Sequence, residues 1–389
     1  MTRAAFVVDR LMQAMGLPGK SFVPLIVGFG CNVPAIMAAR TLENRRDRIL
    51  TILMTPFMSC GARLAIYAVF TAAFFPKGGQ NVVFSLYLIG IVMAIFTGFI
   101  LRKTLLTGQA SPLIMEMPAY HLPTIKNLAF QTWHRLNKFL MKAGKVIVPV
   151  CILIGTLNAI TIHGEINQGN MQDPSVLAAI GQTITLIFSP MGIEQKNWPA
   201  TVGILTGTLA KEVVVGSLNT LYTQAAHLQL QAPPAFHFWA NFKEAFQSIP
   251  DNLKGLANSL GNPVLASAPT QSLSQSVYGE MYVLFGSQAA AYAYLLFILL
   301  YFPCVSATAA VLRELNRGWT IFAVVWTTGL AYGMATLFYQ IATFRKHPES
   351  SSGFIISILF IFFAVIYGMK LYATKVDRGV SKEIEGVAL

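Results

Sequence analysis

The chain is 389 residues long, 54% hydrophobic and only 11% charged, against about 25% charged residues in an ordinary soluble domain. Long apolar runs with so few charges exclude a soluble globular fold and point to a protein that crosses a bilayer several times. The formal charge of +12 is not a nucleic-acid signal, because the basic residues sit in short loops between apolar runs and form no patch interleaved with aromatics.

Apolar segments are expected over roughly 22–39, 49–75, 82–101, 145–162, 176–190, 200–223, 288–312, 319–343 and 353–372. The fold class is therefore all-α and polytopic, with about eight or nine membrane segments. Met1–Lys20 carries charge but lacks the apolar core of a cleavable signal peptide. Its end, AMGLPGKS (14–21), approaches a phosphate-binding loop. Ala14 stands where that motif needs glycine, no strand precedes it, and Pro18 interrupts it, so no complete nucleotide-binding motif occurs in this sequence.

The first segment, SFVPLIVGFGCNVPAIMAAR, holds Gly28, Gly30, Cys31, Asn32 and Pro34 at its centre. In a helix interior each glycine costs about 1 kcal/mol and a proline about 3 relative to alanine. Pro34 cannot donate to the carbonyl of Gly30, which is left free beside Cys31 and Asn32. Broken backbone at membrane depth is tolerated where it is buried in protein or lines a wet cavity, and transporters bind ions at such breaks. The alternative is a kinked helix whose small residues serve close packing.

The second segment repeats the theme in TPFMSCGARLAIY (55–67), with Pro56, Ser59, Cys60 and Arg63. An arginine at that depth costs at least ~2.5 kcal/mol on insertion scales and should face protein or water, unless it snorkels from a shallower position. Residues 102–144 are basic. Thr124–Ala143 places Ile125, Leu128, Trp133, Leu136 and Leu140 near one helical face, with Lys126, Arg135, Lys138 and Lys142 mostly elsewhere. That suits a helix in the cytoplasmic interface, or an amphipathic helix packed on the same protein. Cys151 lies in VPVCILIG without polar neighbours and reads as an apolar thiol.

In GILTGTLAKEVVVGSLNTLY (203–222), Gly203 and Gly207 would let another helix approach closely. Lys211 and Glu212 follow in mid-segment, with Glu212, Gly216 and Asn219 on one face. Intramembrane charges mark either a functional site or a structural pair, for which Arg63 is the natural partner of Glu212. Residues 224–287 are rich in Gln, Ala, Pro and Ser and belong outside the cytoplasm. YFPCVSATAAVLREL (301–315) again joins proline to cysteine: Pro303 would free the carbonyl of Leu299 beside Cys304, ahead of Ser306 and Thr308. The recurrence suggests a two-fold repeat of membrane hairpins.

The loop charges set an orientation. Arg40, Arg45, Arg46 and Arg48, the stretch Arg102–Lys145, Arg313 with Arg317, and the tail with Lys370, Lys375, Arg378 and Lys382 all belong in the cytoplasm. Arg3, Arg10 and Lys20 belong there too, and a re-entrant first segment reconciles them with the rest. None of the four cysteines forms a CxxC pair, which argues against a disulfide framework or structural zinc. Thiols beside broken backbone, with Met37, Met54 and Met58 near, suit a metal softer than Mg2+ or Ca2+. The six histidines, at 121, 134, 163, 227, 237 and 347, form no HExxH-type ligand set for an intramembrane metalloenzyme.

GFGCNVPAIMAARTL, PFMSCGARLAIYAVF, AKEVVVGSLNTLY and PCVSATAAVLREL closely resemble the membrane half of the FeoB-type ferrous iron transporters of bacteria, in the right order over nearly the whole chain. The resemblance implies Fe2+ uptake across the inner membrane through two gate regions. It places Cys31, Cys60 and Cys304 as pathway thiols and Glu212 as a polar intramembrane group; from the residues themselves, Asn32, Ser59, Ser306, Lys211 and Arg63 are expected in support. It divides the chain into a first gate region with an amphipathic lead-in (1–101), a cytoplasmic basic helix (102–144) and central helices with the Lys-Glu motif (145–223). A periplasmic loop (224–287) and a second gate region with a basic tail (288–389) complete it. Family members begin with a GTP-binding domain that carries a P-loop. This sequence starts like the region behind that domain, as a fragment, a split-gene product or a truncated frame would. GTP dependence is thus expected from another polypeptide or a preceding part. Other expected partners are the lipid bilayer, small cytoplasmic accessory proteins and further copies of the chain, with no nucleic acid. The rivals are an assembly partner with no transport of its own and an intramembrane metal-dependent enzyme.

Overall fold

The computed structural model describes residues 2–108, 124–160, 175–209, 211–225, 243, 275–302, 304–345 and 347–387. Among the described residues, fifteen α-helices run in chain order: α1 (Thr2–Ala14), α2 (Phe22–Gly28), α3 (Asn32–Ala38), α4 (Arg45–Met54), α5 (Gly61–Phe74), α6 (Gly79–Lys103), α7 (Ile125–Ala159), α8 (Val176–Phe188), α9 (Trp198–Leu209), α10 (Lys211–Ala225), α11 (Gln275–Phe285), α12 (Gln288–Leu300), α13 (Val305–Glu314), α14 (Arg317–Ala342) and α15 (Pro348–Val387). Among the described residues there is no strand.

Among the described residues, five stretches are long and apolar enough to cross a membrane: Arg45–Phe74, Gly79–Lys103, Gln288–Glu314, Arg317–Ala342 and Pro348–Ala373. Their packing fits that role. Along α6, Phe84, Leu88, Val92, Ile95 and Phe99 form an exposed apolar stripe, while Leu86, Gly90, Met93, Ala94, Thr97 and Leu101 are buried on the other side. Large apolar groups turned outward at helical spacing are what lipid contact requires. α15 does the same with Ile356, Phe360, Phe363 and Tyr367. By contrast α12 is buried all round from Leu295 to Leu300 and is the central helix, packed against α14, α5 and α6.

The first expected segment folds back on itself. α2 is seven residues, about 10 Å, too short to cross about 30 Å of hydrocarbon. α3 returns beside it, and Lys20 Nζ at the entrance pairs with Glu43 at the exit at 3.3 Å. Residues 22–39 thus form a short helical hairpin rather than one continuous helix.

The segment 200–223 departs from the single run that its apolar composition suggests. α9 and α10 pack against each other as an antiparallel pair. A Cβ on Gly203 would meet Leu218, and one on Gly207 would meet Val214. The Tyr222 hydroxyl closes the open end by donating to Asn197 Oδ1 at 2.6 Å. The charged pair Lys211–Glu212 stands at the start of the second helix, not inside one long helix. The close approach expected at the two glycines is real, and the approaching helix is the other half of the same segment.

Residues 124–159 are likewise one element where two were expected. α7 runs unbroken through Pro149, joining the basic helix to the apolar run behind it. Ile125, Leu128 and Trp133 are exposed rather than packed on the protein. The side chains of Arg135, Leu136, Lys138, Leu140, Lys142 and Cys151 lie outside the described residues, as do His121, His163, His227, His237, Pro303, the Glu212 side chain and nearly all of 224–274.

Charges gather at one end of the molecule. The Arg46 guanidinium donates to Leu106 O (2.8 Å), Gly16 O (3.2 Å) and Asp47 Oδ1 (2.8 Å). Arg102 donates to Ala14 O at 3.3 Å, and Arg40 pairs with Glu314. So the end of α1, the α3–α4 loop, the end of α6 and the end of α13 share one face. At the opposite end, Gln288 Nε2 donates to Phe74 O at 2.9 Å, and Gln340 Nε2 to Pro190 O at 2.8 Å. α4–α5 therefore runs away from the basic face and α12–α13 runs toward it.

Candidate functional site: three broken helices

Each of three helical segments is interrupted, and at each interruption a cysteine immediately precedes the next helix: Cys31 before α3, Cys60 before α5 and Cys304 before α13. All three have extended backbone ψ values, 130°, 164° and 159°. No disulfide joins them. Cys31 is exposed, and Cys60 and Cys304 are half-buried.

The first break begins where Phe29 N–H turns back to Ile26 O (3.1 Å), and Gly30 and Cys31 N–H both reach Val27 O (3.0 and 3.1 Å). Pro34 falls in the first turn of α3, where an N–H has no intrahelical acceptor anyway. The Gly30 carbonyl, left without a donor by Pro34, accepts instead from Gly61 N–H at 3.4 Å. That bond ties the Cys31 break to the Cys60 break. Small size matters here: a Cβ on Gly28 would lie 3.1 Å from Met58 Cβ.

At the second break α4 ends in a 3-10 turn over Thr55–Phe57, with Pro56 at its start. Met58 is extended and α5 starts at Gly61. The chain then supplies its own cation. Arg63 is fully buried, and its guanidinium donates to Pro56 O (2.8 Å), Met58 O (3.0 Å) and Tyr301 O (3.4 Å). The Pro56 and Met58 carbonyls close the second break, and Tyr301 O opens the third, since Tyr301 terminates α12. A cation at helix C-terminal carbonyls is favourable. Arg63 does not snorkel, and all its described bonds go to carbonyls, not to a carboxylate. The expected pairing with Glu212 falls on a side chain outside the described residues.

The third break is walled by the α9–α10 hairpin. Lys211, at the hairpin tip and 3% exposed, holds its ammonium 4.4 Å from the centre of the Tyr301 ring, a cation–π contact in a desolvated place. The Tyr301 hydroxyl reaches the position a Cβ on Gly207 would occupy, 2.5 Å away. α3 and α13 pack together with the Arg40–Glu314 ion pair at their C-terminal ends. They therefore run side by side in one direction, which sets Cys31 and Cys304 at the same end.

The supporting residues fall around these breaks. Asn32 is buried, and its Oδ1 has no hydrogen-bond partner among the described residues. Ser59 is buried with its hydroxyl 3.3 Å from that of Tyr67. Ser306 is half-buried in the first turn of α13. Met54 and Met58 are buried, whereas Met37 is exposed. Sequence reasoning missed Tyr301, whose carbonyl meets Arg63 and whose ring meets Lys211. It missed Gly90 as well, where a Cβ would lie 2.7 Å from Phe57 O. Among the described residues no three His, Cys, Asp or Glu side chains are grouped to hold a metal ion. Within the GLPGKS stretch, Gly19–Ser21 form a 3-10 turn, and the Gly19 N–H donates to Asp9 Oδ1 at 2.7 Å.

Helices broken inside an apolar bundle, with thiols and a buried guanidinium at the breaks, define a polytopic helical membrane protein of the discontinuous-helix class. A gate family model, described as nucleoside recognition, matches residues 1–74 and 140–318. A second model, described as the ferrous iron transport protein B C terminus, matches 83–135. The chain is 60% identical over 365 residues to the Fe(2+) transporter FeoB of Legionella pneumophila strain Paris, covering 93% of this chain and 49% of that protein. It is 50% identical over 383 residues to the Fe(2+) transporter FeoB of Salmonella typhimurium, covering 97% and 49%. It thus spans about half the length of the curated relatives it matches. No solved structure matches. The chain belongs to the FeoB family and corresponds to its C-terminal membrane part.

Proposed function

We propose that this chain is the permease part of a GTP-dependent bacterial Fe2+ uptake system and that Fe2+ passes Cys31, Cys60 and Cys304 in turn. The observation that carries the reading is the recurrence of one device: a cysteine opening the second half of a broken helix, three times, with the breaks hydrogen-bonded to one another. Thiol ligands suit Fe2+ better than Mg2+ or Ca2+. Conduction needs sites weak and numerous enough for the ion to leave, which fits thiols spread over three breaks better than a closed cage. Asn32, Ser59 and Ser306 would lend oxygen contacts, and Arg63, Lys211 and Glu212 would set the local charge.

The two halves of the chain fit an inverted two-fold repeat. A unit of re-entrant hairpin (α2–α3), broken helix (α4–α5) and long helix (α6) begins at the basic face and returns to it. A second unit of hairpin (α9–α10), broken helix (α12–α13) and long helix (α14) begins at the opposite face and returns there. Counted with α7, α8 and α15, these units would bring the total to the eight or nine membrane segments expected. The basic face belongs in the cytoplasm by the positive-inside rule, with 102–144 beside it and 224–287 in the periplasm, in a bacterial inner membrane. Nucleotide dependence would reach the chain from a GTP-binding part of the system, by contact around 40–48 and 102–144. Accessory proteins and further copies of the chain could share that face.

Metal uptake into proteoliposomes tests the reading, with and without a GTPase-bearing partner. Cys31→Ser, Cys60→Ser and Cys304→Ser should each lower Fe2+ uptake at least several-fold with little loss of folded protein. Unchanged rates in all three would sink the thiol pathway. No Fe2+ flux under any condition would favour a non-transporting assembly partner.

A further inference from the structure

Arg63 lies three residues past Cys60, and its acceptor Tyr301 lies three residues before Cys304. A buried guanidinium is costly unless its charge is compensated; here Nη1 and Nη2 reach two helix ends that approach from opposite faces of the molecule, while Nε has no hydrogen-bond partner among the described residues. Carbonyls at the ends of half-helices are where discontinuous-helix transporters coordinate cations; in this chain a tethered side chain holds them. At the matching position of the other broken helix, three residues past Cys304, stands Ala307, fully buried. One arginine therefore serves both breaks.

We propose that Arg63 is a positioning residue that fixes Cys60 and Cys304 relative to each other by bridging the ends of α4 and α12, without itself touching the ion. The inference rests on the transport reading for its functional meaning but not for its geometry. The two bonds to the second break are short, 2.8 and 3.0 Å, and the one to the third is 3.4 Å. The guanidinium thus belongs to the second break, and the Tyr301 carbonyl is the contact that yields when the two breaks part. Lysine cannot replace it. Its single ammonium lacks the planar fork that serves both ends at once.

The test places spin labels on Cys60 and Cys304 in a full-length chain with Cys31→Ser and Cys151→Ser, purified in detergent. Dipolar broadening should report one well-defined separation when Arg63 is present. Arg63→Lys should broaden or shift it, while helix content and gel-filtration profile stay those of the parent. Lys211→Met, which removes the contact on the Tyr301 ring but not the carbonyl bridge, should leave the separation unchanged. In proteoliposomes Arg63→Lys should lower the maximal Fe2+ rate about tenfold with KM within twofold, since the thiols remain. A folded Arg63→Lys protein with the parental separation would overturn the inference. So would a shift caused by Lys211→Met, which stays measurable if no Arg63 variant folds. The label readout needs no iron, so an absence of Fe2+ flux in the parent would count against the transport reading alone.

Discussion

Gly90 offers the sharpest test of how the second break is held. A Cβ added there would sit 2.7 Å from Phe57 O and 3.4 Å from Leu299 Cδ1. Ordinary carbon–oxygen contacts begin near ~3.3 Å, so α6 and the 3-10 turn must part by about 0.6 Å. Phe57 O is backbone and cannot swing aside as a flexible side chain would. Overpacking of this kind costs ~1–3 kcal/mol, against a gain of about 1 kcal/mol from replacing glycine inside a helix. Gly90→Ala should therefore destabilise by up to ~2 kcal/mol. Gly329→Ala in α14, where a Cβ meets nothing within 4 Å, should gain up to about 1 kcal/mol. Thermal unfolding of both variants in one detergent gives the comparison: Gly90→Ala melts below the parent and Gly329→Ala at or above it. A Gly90→Ala midpoint equal to or above that of Gly329→Ala would refute the close packing of α6 on this turn. Because the turn also carries the Pro56 and Met58 carbonyls that Arg63 bridges, uptake should fall further than the stability change alone explains.

Tyr222→Phe removes the hydroxyl that donates to Asn197 Oδ1, in a place where Asn197 is fully buried and its Nδ2 already lacks a partner among the described residues. A loss of ~1–3 kcal/mol is expected, read as a lower melting midpoint; Tyr282→Phe, half exposed, should cost little. Single cysteines at Ser267 and Lys126, in a background without native thiols, should react oppositely with an impermeant reagent added outside cells, the first labelled and the second protected. The purified chain should bind no fluorescent GTP analogue, since Gly19 N–H is already taken by Asp9; magnesium-dependent micromolar binding abolished by Lys20→Ala would contradict this.

The breaks were legible because glycine and proline act locally. Pro34 alone implies a carbonyl at Gly30 without its usual donor, and the structure supplies the donor, Gly61 N–H. The charges were legible as unusual but not in their use. Arg63 had to face protein or water, yet its acceptors on Pro56, Met58 and Tyr301 are backbone atoms that any residue could present. No side-chain chemistry at position 301 announces a carbonyl contact from 238 residues away. The hairpin of α9 and α10 was hidden for a related reason. An apolar run of 24 residues can be one crossing or two half-length helices folded together, and periodicity does not distinguish them. Only the Lys211–Glu212 pair, charged in mid-run, hinted at the division.

The central claim is that Fe2+ meets all three thiols, and the most direct measurement is their anaerobic alkylation with and without metal, read peptide by peptide by mass spectrometry. Fe2+ should slow modification of Cys31, Cys60 and Cys304, with the half-buried Cys60 and Cys304 starting from lower rates, while Mg2+ at the same concentration changes none. Rates at all three cysteines indifferent to Fe2+, or slowed equally by Mg2+, would contradict the account.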